Sequence, residues 1–311
     1  MKIVVIGSGG VGGYFGGRLA ASGEDVTFVA RGAHLDALNN NGLKILSALG
    51  ELHLPKVKTA TDTRSVGPAD VVMIAVKLWS TEDAAHAAKA LIGPNTVVVS
   101  FQNGVAAVDT LLQALGREHV MGGVANIAAL IESPGVIRHN GNMATLFFGE
   151  LDGKPSARST AFHEACLRAK FKAELVGDIQ KAIWEKYVRL VTLSAMTSLM
   201  RMPVGPIRSD PDTRALLQAV MEEVIAIGRA KSIQFAPDIV SDQLKVIDAY
   251  PPAMVASMCG DLRRGNRLEV PWLSGMVGKF GRELGIPTPA NQFVYAALKL
   301  YANGRPAEAQ I

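Results

Sequence analysis

The sequence predicts an α/β protein in which a doubly wound, mostly parallel sheet comes first and an all-helical domain follows. Two observations lead to this prediction. The first third of the chain alternates short apolar, β-branched runs with amphipathic stretches, which is typical of βαβ units whose strands are buried on both faces. From Asp178 onward, apolar residues instead recur every three or four positions, which indicates helices.

The individual elements follow from the same patterns. We predict strands over Lys2 to Ile6, Val26 to Ala30, Val71 to Val76, Val97 to Phe101 and Val120 to Ile127. Helices are predicted between them over Val11 to Ala21, His34 to Asn40, Thr81 to Leu91 and Val105 to Leu115. A short β region at Leu43 to Thr61 and a hairpin-like pair at Gly135 to Gly149 complete the first domain. Later helices are predicted over Asp178 to Met202, Thr213 to Ala230, Pro237 to Ala249, Pro271 to Leu284 and Gln292 to Tyr301.

The chain length favours two domains, because 311 residues is about twice the ~150 residues of an ordinary domain. We place the border near Val176, since Gly177 interrupts the preceding strand and Asp178 can cap the new helix. The predicted domains are therefore residues 1–176 and 177–311. No long linker separates them, so we expect them to pack closely and to form a cleft.

The composition argues against several classes of protein. Hydrophobic residues make up 49% and charged residues 19%, which is a globular composition, and the net charge of +4 is too scattered for nucleic-acid binding. Cys166 and Cys259 stand alone, and the six histidines lack metal-ligand spacing, so we expect neither a disulfide nor a metal site. The apolar start is too short for a signal peptide, and no apolar run could span a membrane. We therefore expect a cytoplasmic protein.

A glycine-rich motif, Gly7-Ser8-Gly9-Gly10-Val11-Gly12, directly follows the first strand and opens a helix. This context distinguishes the G-x-G-x-x-G pattern from an ordinary glycine turn. Gly7 permits a tight turn, Gly9 lets a diphosphate approach the backbone, and Gly12 lets the helix pack on the sheet. The first domain is therefore predicted to be a Rossmann-type domain that binds a dinucleotide.

Arg31 stands where the second strand ends. An enzyme that uses NAD places a carboxylate there, because it accepts hydrogen bonds from the ribose hydroxyl and repels a 2′-phosphate. A guanidinium instead offers donors suited to phosphate, so the sequence favours NADP over NAD. A solvated arginine at a strand end is the structural alternative.

Two further polar residues follow buried strands. Lys77 comes after Val71 to Val76, and Asn103 comes after Val97 to Phe101. Open α/β sheets bind ligands at this carboxyl edge of their strands. Asn-Gly is also a common turn, and a lysine at the end of a strand is often solvated. From these two positions alone, a ligand-binding role and a purely structural role are equally supported.

Lys186 is the most informative residue of the second half. It lies on the mainly apolar side of its predicted helix, with Ile183, Leu190 and Leu193 at helical spacing. Either its ammonium group reaches solvent at the edge, or burial in a cleft lowers its pKa and prepares it for proton transfer. Glu269 lies just before a helix that starts with proline, and a carboxylate at the start of a helix needs no ligand to explain it. Ser257, which precedes Met258, can form a local hydrogen bond, and this also requires no ligand.

Taken together, these residues resemble the ketopantoate reductases (2-dehydropantoate 2-reductases), NADPH-dependent enzymes of pantothenate biosynthesis. The resemblance extends over almost the full chain. It rests on Gly7 to Gly12, Arg31, Ala75-Val76-Lys77, Gln102-Asn103-Gly104, Pro134 to His139, Trp184-Glu185-Lys186, Ser257-Met258 with Asp261, Glu269, and the tail Gly285 to Asn291.

The resemblance implies a helical domain like that of 6-phosphogluconate dehydrogenase and Lys186 as the catalytic proton donor. It also implies that Asn103, Ala129 and Glu269 lie near cofactor and substrate, and that Ser257 lies near the substrate carboxylate. Glu269 would orient Lys186 or the product hydroxyl. A homodimer is one of the assemblies that the sequence leaves open.

The sequence departs from the family pattern where asparagines usually bind substrate. Leu190 and Ser194 stand one and two helical turns after Lys186, and Val204 and Met254 stand in place of further family asparagines. Leucine can neither donate nor accept a hydrogen bond, and a missing polar partner in a pocket changes specificity strongly. We therefore predict NADPH-dependent reduction of a small 2-oxo acid, with 2-dehydropantoate as the favoured substrate. A reductase of a more apolar 2-oxo acid and a non-catalytic NADP-binding sensor are the alternatives.

Overall fold

The computed structural model describes residues 1–309 and divides the chain into two compact units. The first unit is Met1–Ile183 and the second starts at Trp184. The sequence placed the border at 176/177, whereas this division falls inside a long helix. The reason is that Ile179 and Ile183, in the first turns of that helix, pack into an apolar cluster of the first unit.

The first unit contains one sheet, which has ten strands within the described residues. The strands are β1 (Lys2–Ile6), β2 (Asp25–Val29), β3 (Leu43–Leu46), β4 (Leu52–Leu54), β5 (Lys58–Ala60), β6 (Val71–Ile74), β7 (Val97–Ser100), β8 (Val120–Ser133), β9 (Val136–Glu150) and β10 (Lys172–Leu175). Their order is β4-β3-β9-β8-β7-β6-β1-β2-β5, with β10 beside β9. From β5 through β8 all neighbours are parallel.

Helices cover both faces of this sheet, as the doubly wound prediction requires. They are α1 (Gly10–Ala21), α2 (Gly32–Asn41), α3 (Thr81–Ala88), α4 (Ala106–Leu115) and α5 (Ala157–Arg168). Alternate residues of β1 enter opposite apolar clusters: Val5 packs with Phe15 of α1, and Val4 packs with Ala85 of α3. The chain order reverses between β1 and β6, and ligands of such sheets bind at the carboxyl edge beside that reversal.

The second unit is helical, as predicted. Its elements are most of α6 (Ile179–Met200), then α7 (Val204–Ser209), α8 (Pro211–Ala230), α9 (Ile239–Asp248), α10 (Ser257–Arg264), α11 (Ser274–Leu284) and α12 (Pro289–Leu298). Asp178 caps α6, since its carboxylate accepts a hydrogen bond from the Lys181 amide at 2.9 Å. Among residues 1–309, none of the helices combines the length and apolar character needed to cross a bilayer.

The predicted hairpin within Gly135 to Gly149 is wrong. This segment belongs to one long strand, β9, which pairs antiparallel with β8 across a turn at Pro134 and Gly135. The misleading signal is Gly141, whose φ of +81° belongs to an irregularity in the strand rather than to a turn. Ala128 pairs with Asn140 and Ile127 with Ala144, so the intervening residues bulge outward.

Candidate active site

The glycine-rich loop of the first unit has the geometry of a dinucleotide-binding turn. Gly7 has a φ of +98°, and a side-chain Cβ there would lie 2.7 Å from backbone atoms of Ala75 and Val76. A Cβ on Gly12 would overlap the Gly7 carbonyl, so this glycine permits the tight packing of α1 on β1. A Cβ on Gly9 would meet only the Ile131 side chain, at 4.0 Å, so the space in front of it is open.

These contacts fit the roles expected of each glycine. The N-terminus of α1, from Gly10 onward, receives no hydrogen bond from a capping side chain, so its first amides are suited to an anion. Gly10 adds a feature that the motif does not explain, because a Cβ there would overlap the Ala129 carbonyl. Ala129 of β8 therefore lies directly against the start of α1, and Ser8 and Val11 complete the loop beside it.

Arg31 and Lys77 both lie exposed at ends of strands that flank β1. Arg31 directly precedes α2 and occupies its N-cap position in extended conformation. The Lys77 ammonium lies 5.8 Å from the centre of the Trp79 ring. Both cations are thus at the carboxyl edge of the sheet, where the sequence placed them.

The Asn103 loop is fixed by Gln102, to which the sequence assigns no role beyond its place in a motif. Gln102 is buried, and its side chain donates to the Thr81 hydroxyl at 2.9 Å and accepts from the Ser100 hydroxyl at 3.0 Å. The Thr81 hydroxyl in turn donates to the Leu78 carbonyl at 2.8 Å. The half-buried Asn103 loop is therefore tied to the loop that carries Lys77.

In the second unit, Lys186 lies half-buried on α6 among groups that change its acidity. Burial is the main cause that lowers the pKa of Lys186, to about 8, and the Arg189 cation one turn later lowers it further. The Glu269 carboxylate acts in the opposite direction and raises this pKa. An amine with a pKa near 8 can both hold and release a proton close to neutral pH.

Glu269 is only 6% exposed and lies at the start of a tight turn. Its carbonyl accepts hydrogen bonds from the amides of Trp272 and Leu273, at 3.0 and 3.1 Å. The Tyr187 hydroxyl donates toward the carbonyls of the same two residues, at 3.1 and 3.0 Å. Because Tyr187 directly follows Lys186, this contact fixes the turn that carries Glu269 against the helix that carries Lys186.

The positions after Lys186 on α6 differ in what they contact. Leu190 is half-buried, whereas Ser194 is fully buried and its hydroxyl has no hydrogen-bond partner within residues 1–309. Thr197 accepts a hydrogen bond from the Ala256 amide at 3.3 Å, which ties α6 to the beginning of α10. Ser257, the first residue of α10, is exposed.

The remaining departures from the asparagine pattern also lie close to one another. Val204 is buried and Met254 is half-buried, and the Val204 amide donates to the Met254 carbonyl at 2.9 Å. These two apolar side chains therefore belong to adjacent segments of the helical unit.

The tail motif that ends at Asn291 has a structural role in the described chain. The Glu223 carboxylate accepts hydrogen bonds from the amides of Ala290 and Asn291 at 2.7 and 2.9 Å, and from the Asn291 side chain at 2.7 Å. These bonds cap α12 on α8 and give Ala290 and Asn291 a structural role. Within residues 1–309, no group of three or more histidine, cysteine or acidic side chains could hold a metal ion.

Comparison with known proteins identifies the family. The family model described as ketopantoate reductase PanE/ApbA matches residues 3–153, and the model of its C-terminal part matches residues 178–302. The chain belongs to the ketopantoate reductase PanE/ApbA family. This is a family of oxidoreductases that use a nicotinamide cofactor and act on small keto acids.

Relatives cover nearly the whole chain. A 2-dehydropantoate 2-reductase of Mesorhizobium japonicum is 33% identical, with 97% of this chain and 98% of the relative covered. An uncharacterized oxidoreductase of Bacillus subtilis, YkpB, is 32% identical, with 97% and 99% covered. The crystal structure of a PanE/ApbA family ketopantoate reductase from Ralstonia eutropha superposes with a TM-score of 0.89 at 30% identity and covers 97% of this chain and 98% of that one.

Proposed function

We propose that this protein is an NADPH-dependent reductase of a small 2-oxo acid, with 2-dehydropantoate as the first candidate and pantoate as its product. The observation that carries the proposal is Lys186, whose pKa is lowered to about 8 beside the buried carboxylate of Glu269. A lysine held in this way is suited to donate a proton near neutral pH. The relative from Mesorhizobium japonicum, named 2-dehydropantoate 2-reductase, supports the choice of substrate.

The glycine-rich loop supports a dinucleotide cofactor. The open space at Gly9 and the uncapped start of α1 suit a diphosphate, and Arg31 at the end of β2 suits a 2′-phosphate. Lys77 adds a second exposed cation at the same edge. When bound, the reduced nicotinamide supplies a hydride to the carbonyl carbon of the substrate.

In this proposal, Lys186 completes the reduction by protonating the carbonyl oxygen of the substrate. As a hydride reaches the carbonyl carbon, negative charge develops on the oxygen, and the Lys186 ammonium stabilises that charge and transfers its proton to form the hydroxyl. The Glu269 carboxylate favours the charged form of Lys186, and we assign to it the orientation of that ammonium. Ser257 and Asn103 are the polar groups that we assign to the substrate carboxylate and to the alignment of substrate with cofactor.

A second candidate substrate class rests on Leu190, Val204 and Met254. These apolar side chains occupy positions where polar side chains would favour the hydroxylated 2-dehydropantoate, so a more apolar 2-oxo acid is the alternative.

The decisive experiment measures NADPH oxidation over a panel of 2-oxo acids that includes 2-dehydropantoate and apolar analogues. Lys186→Ala should lower kcat by about two orders of magnitude, the usual scale for a positioned acid, with little change in NADPH affinity. Lys279→Ala, an exposed lysine on α11, is the matched control. A folded Lys186→Ala protein with near-normal kcat would contradict the mechanism. NADPH binding without turnover of any 2-oxo acid would favour the non-catalytic sensor.

A further inference from the structure

His34 links three separate segments of the first unit. It lies half-buried in the first turn of α2, three residues after Arg31. Its Nε2 lies 2.9 Å from the carbonyl oxygen of Ser8 in the glycine-rich loop, and its Nδ1 lies 3.1 Å from the amide nitrogen of Gly135 in the β8–β9 turn. One imidazole ring therefore connects the glycine-rich loop, α2 and the β8–β9 turn.

The two partners determine the state of the ring. A carbonyl oxygen can only accept a hydrogen bond, so Nε2 must carry the proton that is donated to Ser8. The Gly135 amide can only donate, so Nδ1 must be unprotonated and accept. Both bonds exist together only in the neutral ring with its proton on Nε2. Burial lowers the pKa of His34, which favours this neutral form.

Of the hydrogen bonds that hold this loop to the end of β2 or to the segment after β2, the one from His34 is the shortest. The Gly7 amide reaches the Val29 carbonyl at 3.4 Å, and the Ser8 hydroxyl reaches the same carbonyl at 3.5 Å. Both distances are at the long limit for hydrogen bonds, whereas 2.9 Å is an ordinary length. The loop therefore depends on His34 for its firmest connection to α2.

Such a connection has a functional consequence because the loop is rich in glycine. Glycine loses more conformational freedom on ordering than any other residue, so a loop of this composition costs free energy to hold in one shape. A loop that is already held binds its ligand more tightly, because the ordering has occurred before binding. Strand β8 also helps to hold the loop in place, since the Ala129 backbone contacts Gly10.

We propose that His34 is a positioning residue for the cofactor: its neutral imidazole holds the Gly7 to Gly12 loop, the start of α2 behind Arg31 and the β8–β9 turn in the arrangement that receives the diphosphate of the dinucleotide. This inference rests on the proposed dinucleotide binding. It adds a residue outside the glycine motif that prepares the loop without touching the cofactor.

The test measures the Kd of NADPH without substrate, which keeps it independent of the substrate question. His34→Leu removes both hydrogen bonds and should raise the Kd by about tenfold, the equivalent of one net hydrogen-bond energy. His34→Gln retains one donor and one acceptor in its side-chain amide and should restore part of the affinity. The loss should appear in the Kd and KM for NADPH rather than in kcat.

His163→Leu is the matched control. His163 is also half-buried in the first unit and also pairs its Nε2 with a backbone carbonyl, that of Ala173 at 2.9 Å, but it lies on α5. We expect this variant to lose stability without a change in NADPH affinity. Equal Kd values for NADPH in the unmodified protein and a folded His34→Leu variant would overturn the inference.

A measurement on the unmodified protein covers the case in which His34→Leu does not fold. Nitrogen-15 NMR of the histidine ring should show His34 neutral at pH 7, with the proton on Nε2. A charged ring, or a proton on Nδ1, would overturn the inference. Absence of NADPH binding in the unmodified protein would instead contradict the proposed function, so the two failures are distinguishable.

Discussion

The Tyr187 hydroxyl donates to the carbonyl oxygen of Leu273 at 3.0 Å and lies 3.1 Å from that of Trp272. Tyr187 is fully buried, and burial raises the pKa of its phenol, so the hydroxyl stays protonated and able to donate. It therefore acts as the fixed link between α6 and the turn from Glu269 to Leu273. We expect the electrostatic pairing of Lys186 with Glu269 to depend on that link.

Tyr187→Phe tests this dependence. The change removes the hydrogen bond from the Tyr187 hydroxyl to this turn, so we expect the free energy of unfolding to fall by about 0.5 to 1.5 kcal/mol. Because the Glu269 turn is then less firmly held, the pKa of Lys186 should also fall, seen as a shift of the pH profile of kcat/KM to lower pH. Tyr14→Phe is the control, since Tyr14 is equally buried and its hydroxyl has no hydrogen bond within residues 1–309. A loss of stability with an unchanged pH profile would limit Tyr187 to a structural role.

The pH dependence of the reduction follows from Lys186. The proposed donor must be protonated, so kcat/KM for reduction should be level below pH 8 and fall by about tenfold per pH unit above it. Arg189→Gln removes a cation that lowers this pKa, and the descending limb should move to higher pH. Because glutamine is shorter than arginine, the variant should also lose the hydrogen bond that Arg189 now donates to the Gln243 side chain at 2.9 Å.

Arg229→Gln, an exposed position on α8, is the control for the pH profile. The descending limb of the pH profile of this variant should coincide with that of the unmodified protein. A limb that stays in place in the Arg189→Gln variant would show that Arg189 does not act on the group that limits the reaction.

Arg31 should determine the choice between the two nicotinamide cofactors. Arg31→Glu replaces an attraction for the 2′-phosphate by a repulsion, so the ratio of kcat/KM for NADPH to that for NADH should fall by at least about tenfold. Arg117→Glu makes the same charge change at another exposed position of the first unit and should leave the ratio unchanged. Equal kcat/KM for both cofactors in the unmodified protein would contradict the preference for NADPH.

The fold could be predicted wherever the pattern is local. The strand predicted over Lys2 to Ile6 has the observed bounds of β1, because a continuous β-branched run followed by glycine has few alternatives. The short α10 and the bulge at Gly141 were not predicted, since their sequences match turn or helix signals equally well.

The sequence predicts chemistry-bearing residues for the candidate site, but it does not predict the residues that support them. Gln102, Tyr187 and His34 act through partners that the fold brings together. His34 and Gly135, for example, lie 101 positions apart. No local spacing signals such a contact. Nothing in the sequence distinguishes the tail motif, whose end Glu223 of α8 holds in place, from the residues expected near a ligand.

The identity of the substrate should depend on Leu190 and Ser194. Leu190 offers no hydrogen bond, so the Ser194 hydroxyl, which is buried and has no partner within residues 1–309, is the one polar group that these two positions offer to a substrate hydroxyl. We expect the unmodified protein to reduce 2-dehydropantoate with a lower kcat/KM than the double variant Leu190→Asn and Ser194→Asn. The double variant should also raise the ratio of kcat/KM for 2-dehydropantoate to that for an apolar 2-oxo acid by about tenfold or more, since a paired substrate hydroxyl gains at least one hydrogen bond. Leu199→Asn is the control: it is a half-buried leucine nine residues later, on the opposite side of the same helix, and it should not change the ratio. An unmodified enzyme that saturates at low 2-dehydropantoate, and that the double change damages, would show that other side chains of the helical unit recognise the hydroxyl.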